Sequence, residues 1–98
     1  MARVIVGDSW FDDEKATHYE EDTYFDGNNH ISAATGSQWE HERLYRTRTG
    51  KFVLNCWSQM SDSRESYEII DDDQANAWLA RNGHWDSVSE KYLDSTEI

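Results

Sequence analysis

The chain contains no proline, one cysteine and few basic residues, and these shortages exclude several classes of protein. A single cysteine, Cys56, cannot form a disulfide within the chain, which fits a reducing compartment and predicts a cytoplasmic protein. No apolar run approaches the roughly 20 residues that a transmembrane helix requires. Nine Lys and Arg against 20 Asp and Glu leave a net charge of −11, which argues against direct binding to a nucleic-acid backbone.

Aromatic residues, by contrast, are plentiful. Phe, Trp and Tyr make up 13% of the 98 residues, including five Trp and five Tyr. A disordered acidic tail would lack such rings, because it could not bury enough apolar surface to offset the entropy of folding. The length and the absence of any linker predict one folded domain over residues 1–98.

Turn signals divide the first two thirds of the chain into short strands. Asp26-Gly27-Asn28-Asn29 predicts a tight turn, because Gly and Asn tolerate positive φ. A strand over residues 17–25 precedes this turn, and a short return strand over 30–32 follows it. Further strands are predicted over residues 42–47, 51–59 and 66–70.

The last third of the chain has the spacing of helices. The apolar positions Ala75, Trp78 and Leu79 fall at i, i+3 and i+4, with an N-cap among Asp71, Asp72 and Asp73. Gly83 marks the end of this helix, and a second short helix is predicted over residues 86–94. The predicted fold is therefore α+β: an antiparallel meander of four to five strands with a helix packed on one face and a short C-terminal helix.

Three blocks of the sequence carry a family resemblance. They are Trp39-Glu40-His41-Glu42-x-Leu44-Tyr45-Arg46-Thr47-x-x-Gly50, then Trp57-Ser58-Gln59, then Ala75-x-x-Trp78-Leu79. Across residues 17–82 they resemble a family of small uncharacterised proteins of bacteria, phages and mobile elements. The resemblance implies a compact strand-rich fold with a packed helix, and it brings no activity or catalytic residue with it. In size and acidity the chain is also similar to anti-CRISPR proteins.

The residues able to bind metal or perform catalysis lack the spacing of a site. His18, His30, His41, His84 and Cys56 show no CxxC or HxxxH arrangement, so we expect surface histidines, with no metal and no cofactor. Cys56 with His41 as its base is the remaining nucleophile candidate. Its alternation with Phe52 and Leu54 favours a buried thiol instead, with His41 on the strand surface. We therefore expect a protein that is not an enzyme.

Charge, and two tryptophans that lie in charged segments, point to a binding role. Residues 8–26 and 52–98 each carry −7, and residues 40–51 between them carry +2. Such a field attracts basic partners over long range. We expect Trp39, Trp57 and Trp78 in the core, and Trp10 and Trp85 at an interface. The predicted partner-binding residues are Trp10, Asp12, Asp13, Glu14, Glu20, Glu21, Asp22, Asp71, Asp72, Asp73 and Trp85.

Two functions from different classes fit this pattern. In the first, the chain inhibits a nucleic-acid-binding machine, with carboxylates standing in for phosphates in a basic groove, as in a phage or mobile-element inhibitor. In the second, it is a cytoplasmic accessory or regulatory protein whose acidity only keeps it soluble. The basic residues Arg43, Arg46, Arg48 and Lys51 can pair with the chain's own acids or with those of a second copy, which allows a homodimer.

Overall fold

The computed structural model describes residues 3–37, 39–58 and 65–98 and places eight strands and two α-helices within those ranges. The strands are β1 (Arg3–Val6), β2 (Ser9–Asp12), β3 (Thr17–Glu20), β4 (Thr23–Phe25), β5 (His30–Ser32), β6 (Glu40–Arg46), β7 (Phe52–Ser58) and β8 (Ser66–Ile70). The helices are α1 (Asp72–Arg81) and α2 (Glu90–Thr96), with a 3₁₀ turn at Trp85–Ser87 between them. All strand pairs among these are antiparallel, so the predicted α+β class is confirmed.

The largest sheet has four strands in the order β3-β6-β7-β8. Its two longest strands, β6 and β7, pair in register with Leu44 opposite Leu54 and Tyr45 opposite Val53. Two separate hairpins, β1-β2 and β4-β5, complete the strand set. In the described helices, no segment is long and apolar enough to cross a membrane.

The two faces of the four-stranded sheet are covered by different elements. Because side chains alternate along a strand, Leu44 and Leu54 lie on one face and Tyr45 and Val53 on the other. The first face packs against α1, in a core built around Leu44, Ala75, Trp78, Leu79 and Val88. The second face packs against the β1-β2 hairpin, in a core of Val6, Phe11, Tyr45 and Val53.

Helix α1 begins and ends as its sequence dictates. The Asp71 side chain accepts a hydrogen bond from the Gln74 N–H at 2.8 Å, and the Gln74 side chain accepts from the Asp71 N–H at 3.2 Å, which forms a capping box. At the other end Gly83 has φ of +80°, and the His84 N–H donates to the Leu79 carbonyl at 2.8 Å. This bond and the left-handed glycine form a Schellman motif. The predicted cap, stop and buried face are confirmed.

The strand predicted over residues 17–25 is interrupted, because the chain leaves the sheet at Glu21 and Asp22. The Asp22 N–H donates to the Asn82 side chain at 2.9 Å, and the Asp22 carbonyl accepts from the Ala33 N–H at 2.8 Å. These bonds replace the sheet ladder and split the segment into β3 and β4, which belong to different sheets. Similarly, the predicted helix over 86–94 is replaced by the 3₁₀ turn and by α2.

The β1-β2 hairpin is absent from the prediction, although the sequence carries its signal. Gly7 has φ of +60°, while no non-glycine residue in the described chain has positive φ. Gly7 and Asp8 form a two-residue turn in which the first residue alone has positive φ, which is a type II′ turn. The sequence signal for the hairpin was therefore Gly7-Asp8. The end of the strand predicted over 51–59, Gln59, lies outside the described residues, and β7 ends at Ser58.

Of the three tryptophans predicted in the core, Trp78 alone belongs to the two core clusters described above. Trp78 is buried and Trp57 is half-buried, but Trp39 is 50% exposed. Trp39 lies just before β6, in a segment where Ser37 Oγ accepts from the Trp39 N–H at 3.0 Å. The expectation for Trp39 was therefore wrong, because a position outside the strand is not enclosed by either covering layer.

Candidate partner-binding surfaces

The structure divides the predicted partner-binding residues between two surfaces and one buried cluster. The first surface lies around the turn between β6 and β7, over residues 47–51, which we call the hairpin tip. The second contains Trp85, and the cluster contains Glu21. We describe each from its contacts before assigning any role.

Residues of the hairpin tip line two clefts, and a third cleft adjoins the second. The first has a volume of about 270 Å³ and lies between the tip and the β1-β2 hairpin, with Trp10 and Asp12 in its lining. The second, about 520 Å³, shares Lys51 and Ile69 with the first and adds Asp71, Asp72 and Asp73. The third, about 590 Å³, shares Phe52, Asp72 and Asp73 with the second and extends to α2. Residues that the sequence separates by about 60 positions, Trp10 and Asp71–Asp73, thus meet around one turn.

Charge at the hairpin tip is nearly balanced. Four carboxylates and five cationic side chains line the three clefts: Asp12, Asp71, Asp72 and Asp73 against Lys15, Arg46, Arg48, Lys51 and Lys91. The net charge of −11 therefore arises from the rest of the chain. The acidic segments flank the basic turn in space as well as in sequence, so this surface has mixed rather than acidic character.

The Asp12–Glu14 segment is part of a turn. Asp12 Oδ1 accepts a hydrogen bond from the Glu14 N–H at 3.0 Å, and the Asp12 carbonyl accepts from the Lys15 N–H at 3.2 Å. Asp13 is half-buried, and its Oδ1 atom is buried without a hydrogen-bond partner. Asp12 therefore holds the turn and Asp13 is partly enclosed, so charge reversal at either residue would perturb folding as well as binding.

The second surface joins the end of β3 to the end of α1. The Glu20 carbonyl accepts a hydrogen bond from His84 Nε2 at 2.7 Å, and Asn82 holds the Asp22 N–H. Trp85 follows His84 directly and is 57% exposed. Exposed carboxylates at Asp86 and Glu90 come next along the chain. We call Asp22, Trp85, Asp86 and Glu90 the Trp85 face.

Asp86 and Glu90 were missed by the sequence prediction. The signal was present, because Trp85-Asp86 places an aromatic residue beside an acid, as Trp10 stands beside the acids of residues 12–14.

Glu20 contributes little free charge, because Arg43 Nε donates to its carboxylate at 2.8 Å. Of the two kinds of partner that the sequence allowed for Arg43, the structure shows an acid of the same chain.

Glu21 lies inside the domain rather than on its surface. Its side chain is 10% exposed, and its carboxylate accepts hydrogen bonds from Ser32 Oγ, from His41 Nδ1 and, at 3.1 Å, from the Glu42 N–H. The His41 ring is 17% exposed and stacks on Trp57, with ring centroids 5.8 Å apart. The expectation of a surface His41 was therefore wrong, because Glu21 folds in from the end of β3 to hold the ring.

Cys56 lies on the other face of the sheet and is half-buried. Its thiol donates to Glu42 Oε2 at 3.6 Å, and Glu42 Oε1 accepts from Trp78 Nε1 at 3.0 Å. Burial, reinforced by the Glu42 carboxylate, raises the pKa of the Cys56 thiol to about 11. At neutral pH the residue is a protonated thiol, and the nucleophilic thiolate form is suppressed.

Among the residues that the structure describes, no group of three or more His, Cys, Asp or Glu side chains is placed to hold a metal ion. Comparison of the chain with family models, with curated proteins and with solved structures finds no match.

Proposed function

We propose that the chain is a non-enzymatic cytoplasmic protein that binds a basic macromolecular surface through the Trp85 face. The class of partner is a nucleic-acid-binding protein, whose Lys and Arg groove the carboxylates fill in place of phosphates. This is the inhibitory role that the likeness to anti-CRISPR proteins implies. The observation that carries the proposal is an exposed aromatic side chain, Trp85, which exposed carboxylates follow along the chain at Asp86 and Glu90.

The physical argument has two parts. Long-range attraction comes from the net charge of −11, which steers a basic partner toward the domain. Short-range affinity comes from Trp85, because a large ring that is partly exposed in the free protein is the kind of residue that carries interface energy. Asp22, Asp86 and Glu90 supply the charge of this proposed surface, and none of them forms an ion pair with a described cation.

A charge-matched pair of variants tests this proposal. The double variant Asp86→Asn/Glu90→Gln removes two charges from the Trp85 face, and Asp72→Asn/Asp73→Asn removes two from the hairpin tip. Fluorescence anisotropy with a fluorescein-labelled oligolysine peptide should show about tenfold weaker binding for the first variant and less than about threefold for the second. Trp85→Ala should also weaken binding, whereas Trp39→Ala, which removes a similarly exposed ring elsewhere, should not.

Equal losses from the two double variants would show that net charge alone attracts the peptide, and the proposal would fail. Binding that does not change with salt would also contradict it, because exposed charges are screened beyond about 8 Å at physiological ionic strength. Capture of partners from cell extract, identified by mass spectrometry, then tests the class of partner. If the wild-type chain captures nucleic-acid-processing subunits and the Trp85→Ala variant does not, the proposed inhibitory function is supported. Metabolic enzymes or no partner support the accessory protein with a merely solubilising surface.

A further inference from the structure

The cleft between the β1-β2 hairpin and the hairpin tip has an apolar lining and a basic rim. Its volume is about 270 Å³, close to the lower end of small-molecule sites. Apolar side chains from four strands line it: Val6, Trp10, Phe11, Val53 and Ile69. Trp10 and Ile69 are exposed, so the lining offers aromatic and aliphatic surface, and the Arg3 guanidinium lies over the Trp10 ring at 5.5 Å from its centroid.

The rim of this cleft carries more cations than carboxylates, although the protein as a whole is acidic. Lys15, Arg48 and Lys51 line it, against a single lining carboxylate, Asp12. All three cations are exposed, and no described carboxylate forms an ion pair with them. Asp12 is itself held by the Glu14 N–H. The cleft therefore presents uncompensated positive charge next to apolar surface.

The turn that carries two of these cations is fixed by its own hydrogen bonds. The Thr47 N–H donates to the Lys51 carbonyl at 2.8 Å, and the Lys51 N–H donates to Thr47 Oγ1 at 3.2 Å. Gly50, at φ of +90°, closes the turn. Because the backbone is already ordered, a ligand need not organise it, and less of the binding energy is lost.

We propose that this cleft binds a small aromatic anion, an aryl carboxylate or sulfonate. Its ring lies against Trp10, Phe11 and Ile69, and its anionic group pairs with Arg48 and Lys51. One aromatic ring system fits the volume and the apolar lining of the cleft, and a negative charge complements the cations of its rim. This ligand has the opposite charge to the partner proposed for the Trp85 face, so the two proposals fail independently.

A pair of probes with one ring and opposite charges provides the test. Indole-3-acetate is the anion and tryptamine the cation, and each is titrated into the ¹⁵N-labelled full chain while amide and indole resonances are followed. We expect saturable shifts for indole-3-acetate at Trp10, Thr49 and Ile69, and none at these positions for tryptamine. The comparison is stringent, because a net charge of −11 would on its own favour the cation.

Variants of exposed residues locate the anion. Arg48→Gln and Lys51→Gln should each weaken indole-3-acetate binding about tenfold. The matched control is Arg46→Gln, which removes the same charge near the tip but from outside this cleft, and it should weaken binding less than about twofold. Trp10→Ala should abolish saturation, and Trp85→Ala should leave it unchanged.

Three results would overturn the proposal. They are tryptamine binding at the cleft as tightly as indole-3-acetate, unchanged affinity in the Arg48 and Lys51 variants, and no saturable shift at millimolar indole-3-acetate. The wild-type pattern of resonances in each variant shows that the fold is intact, so that a loss of binding reports on the cleft.

Discussion

Replacing His41 with alanine should lower the free energy of unfolding by about 1.5–3 kcal/mol, the usual range for a hydrogen bond to a charged group. His41 Nδ1 donates to the Glu21 carboxylate, whose side chain is 10% exposed. Removing the ring leaves that carboxylate with only Ser32 Oγ and the Glu42 N–H as donors. It also removes the ring that stacks on Trp57. Sequence reasoning alone gives almost no effect, because it places His41 on the strand surface.

Urea denaturation followed by tryptophan fluorescence measures this change. At a denaturant slope of about 1–3 kcal/mol per molar, the midpoint should fall by roughly 1 M. The melting temperature should fall by about 4–8 °C for each kcal/mol in a domain of this size. A double-mutant cycle with Glu21→Gln isolates the pair, and the coupling should exceed about 1 kcal/mol because the two groups touch.

The control is His18→Ala. His18 lies on β3, is exposed, and comes no closer than 3.9 Å to the Glu20 carboxylate among the described contacts, so its loss should change stability by less than about 0.5 kcal/mol. If His41→Ala proves as mild as His18→Ala, Glu21 is adequately solvated without the ring. The buried cluster would then contribute nothing to folding, and the reasoning above would be refuted.

Two further predictions concern the opposite face of the sheet. Trp78→Ala should cost about 3–5 kcal/mol in denaturation, because it leaves a cavity under α1. Trp78→Phe should recover part of this loss but leave the Glu42 carboxylate without its indole donor. A denaturation midpoint near wild type for Trp78→Ala would mean that α1 does not depend on this contact. The pKa of Cys56, raised from 9.0 to about 11, should slow alkylation by iodoacetamide at pH 8 about 100-fold relative to an ordinary thiol. Because the pKa of Cys56 is higher in the folded state than in the unfolded state, the stability linked to Cys56 is complete below pH 9 and is lost as the pH rises toward 11. If the difference in unfolding free energy between wild type and Cys56→Ala stays constant over that range, the raised pKa is contradicted.

Local signals in the sequence predict the parts of the fold that local physics determines. The capping box at Asp71 and the left-handed Gly83 depend on residues within one turn of the helix end, so their pattern is readable directly. The register of β6 and β7 follows from alternating apolar residues and a short turn containing Gly50. These elements fix the sheet and helix that confirm the α+β class.

The remaining features depend on contacts that are distant in sequence. The break after β3 arises from Asn82, which is 60 residues from the Asp22 N–H that it binds. Likewise, Glu21 and His41 meet across 20 residues. Composition gives the amount of charge but not its position, which is why Trp10 was grouped with the acids although its cleft is basic. No pattern within a single strand contains that information.

The two proposed ligands have opposite charges, and the distribution of charge in space is consistent with both proposals. At physiological ionic strength a charge is screened over about 8 Å, so an anion in the cleft interacts chiefly with Lys15, Arg48 and Lys51. A polycation is large enough to interact with many carboxylates at once. Added salt should therefore weaken oligolysine binding at the Trp85 face steeply and indole-3-acetate binding only slightly. Similar salt dependence for both ligands would mean that the hairpin tip and the Trp85 face are not electrostatically separate surfaces.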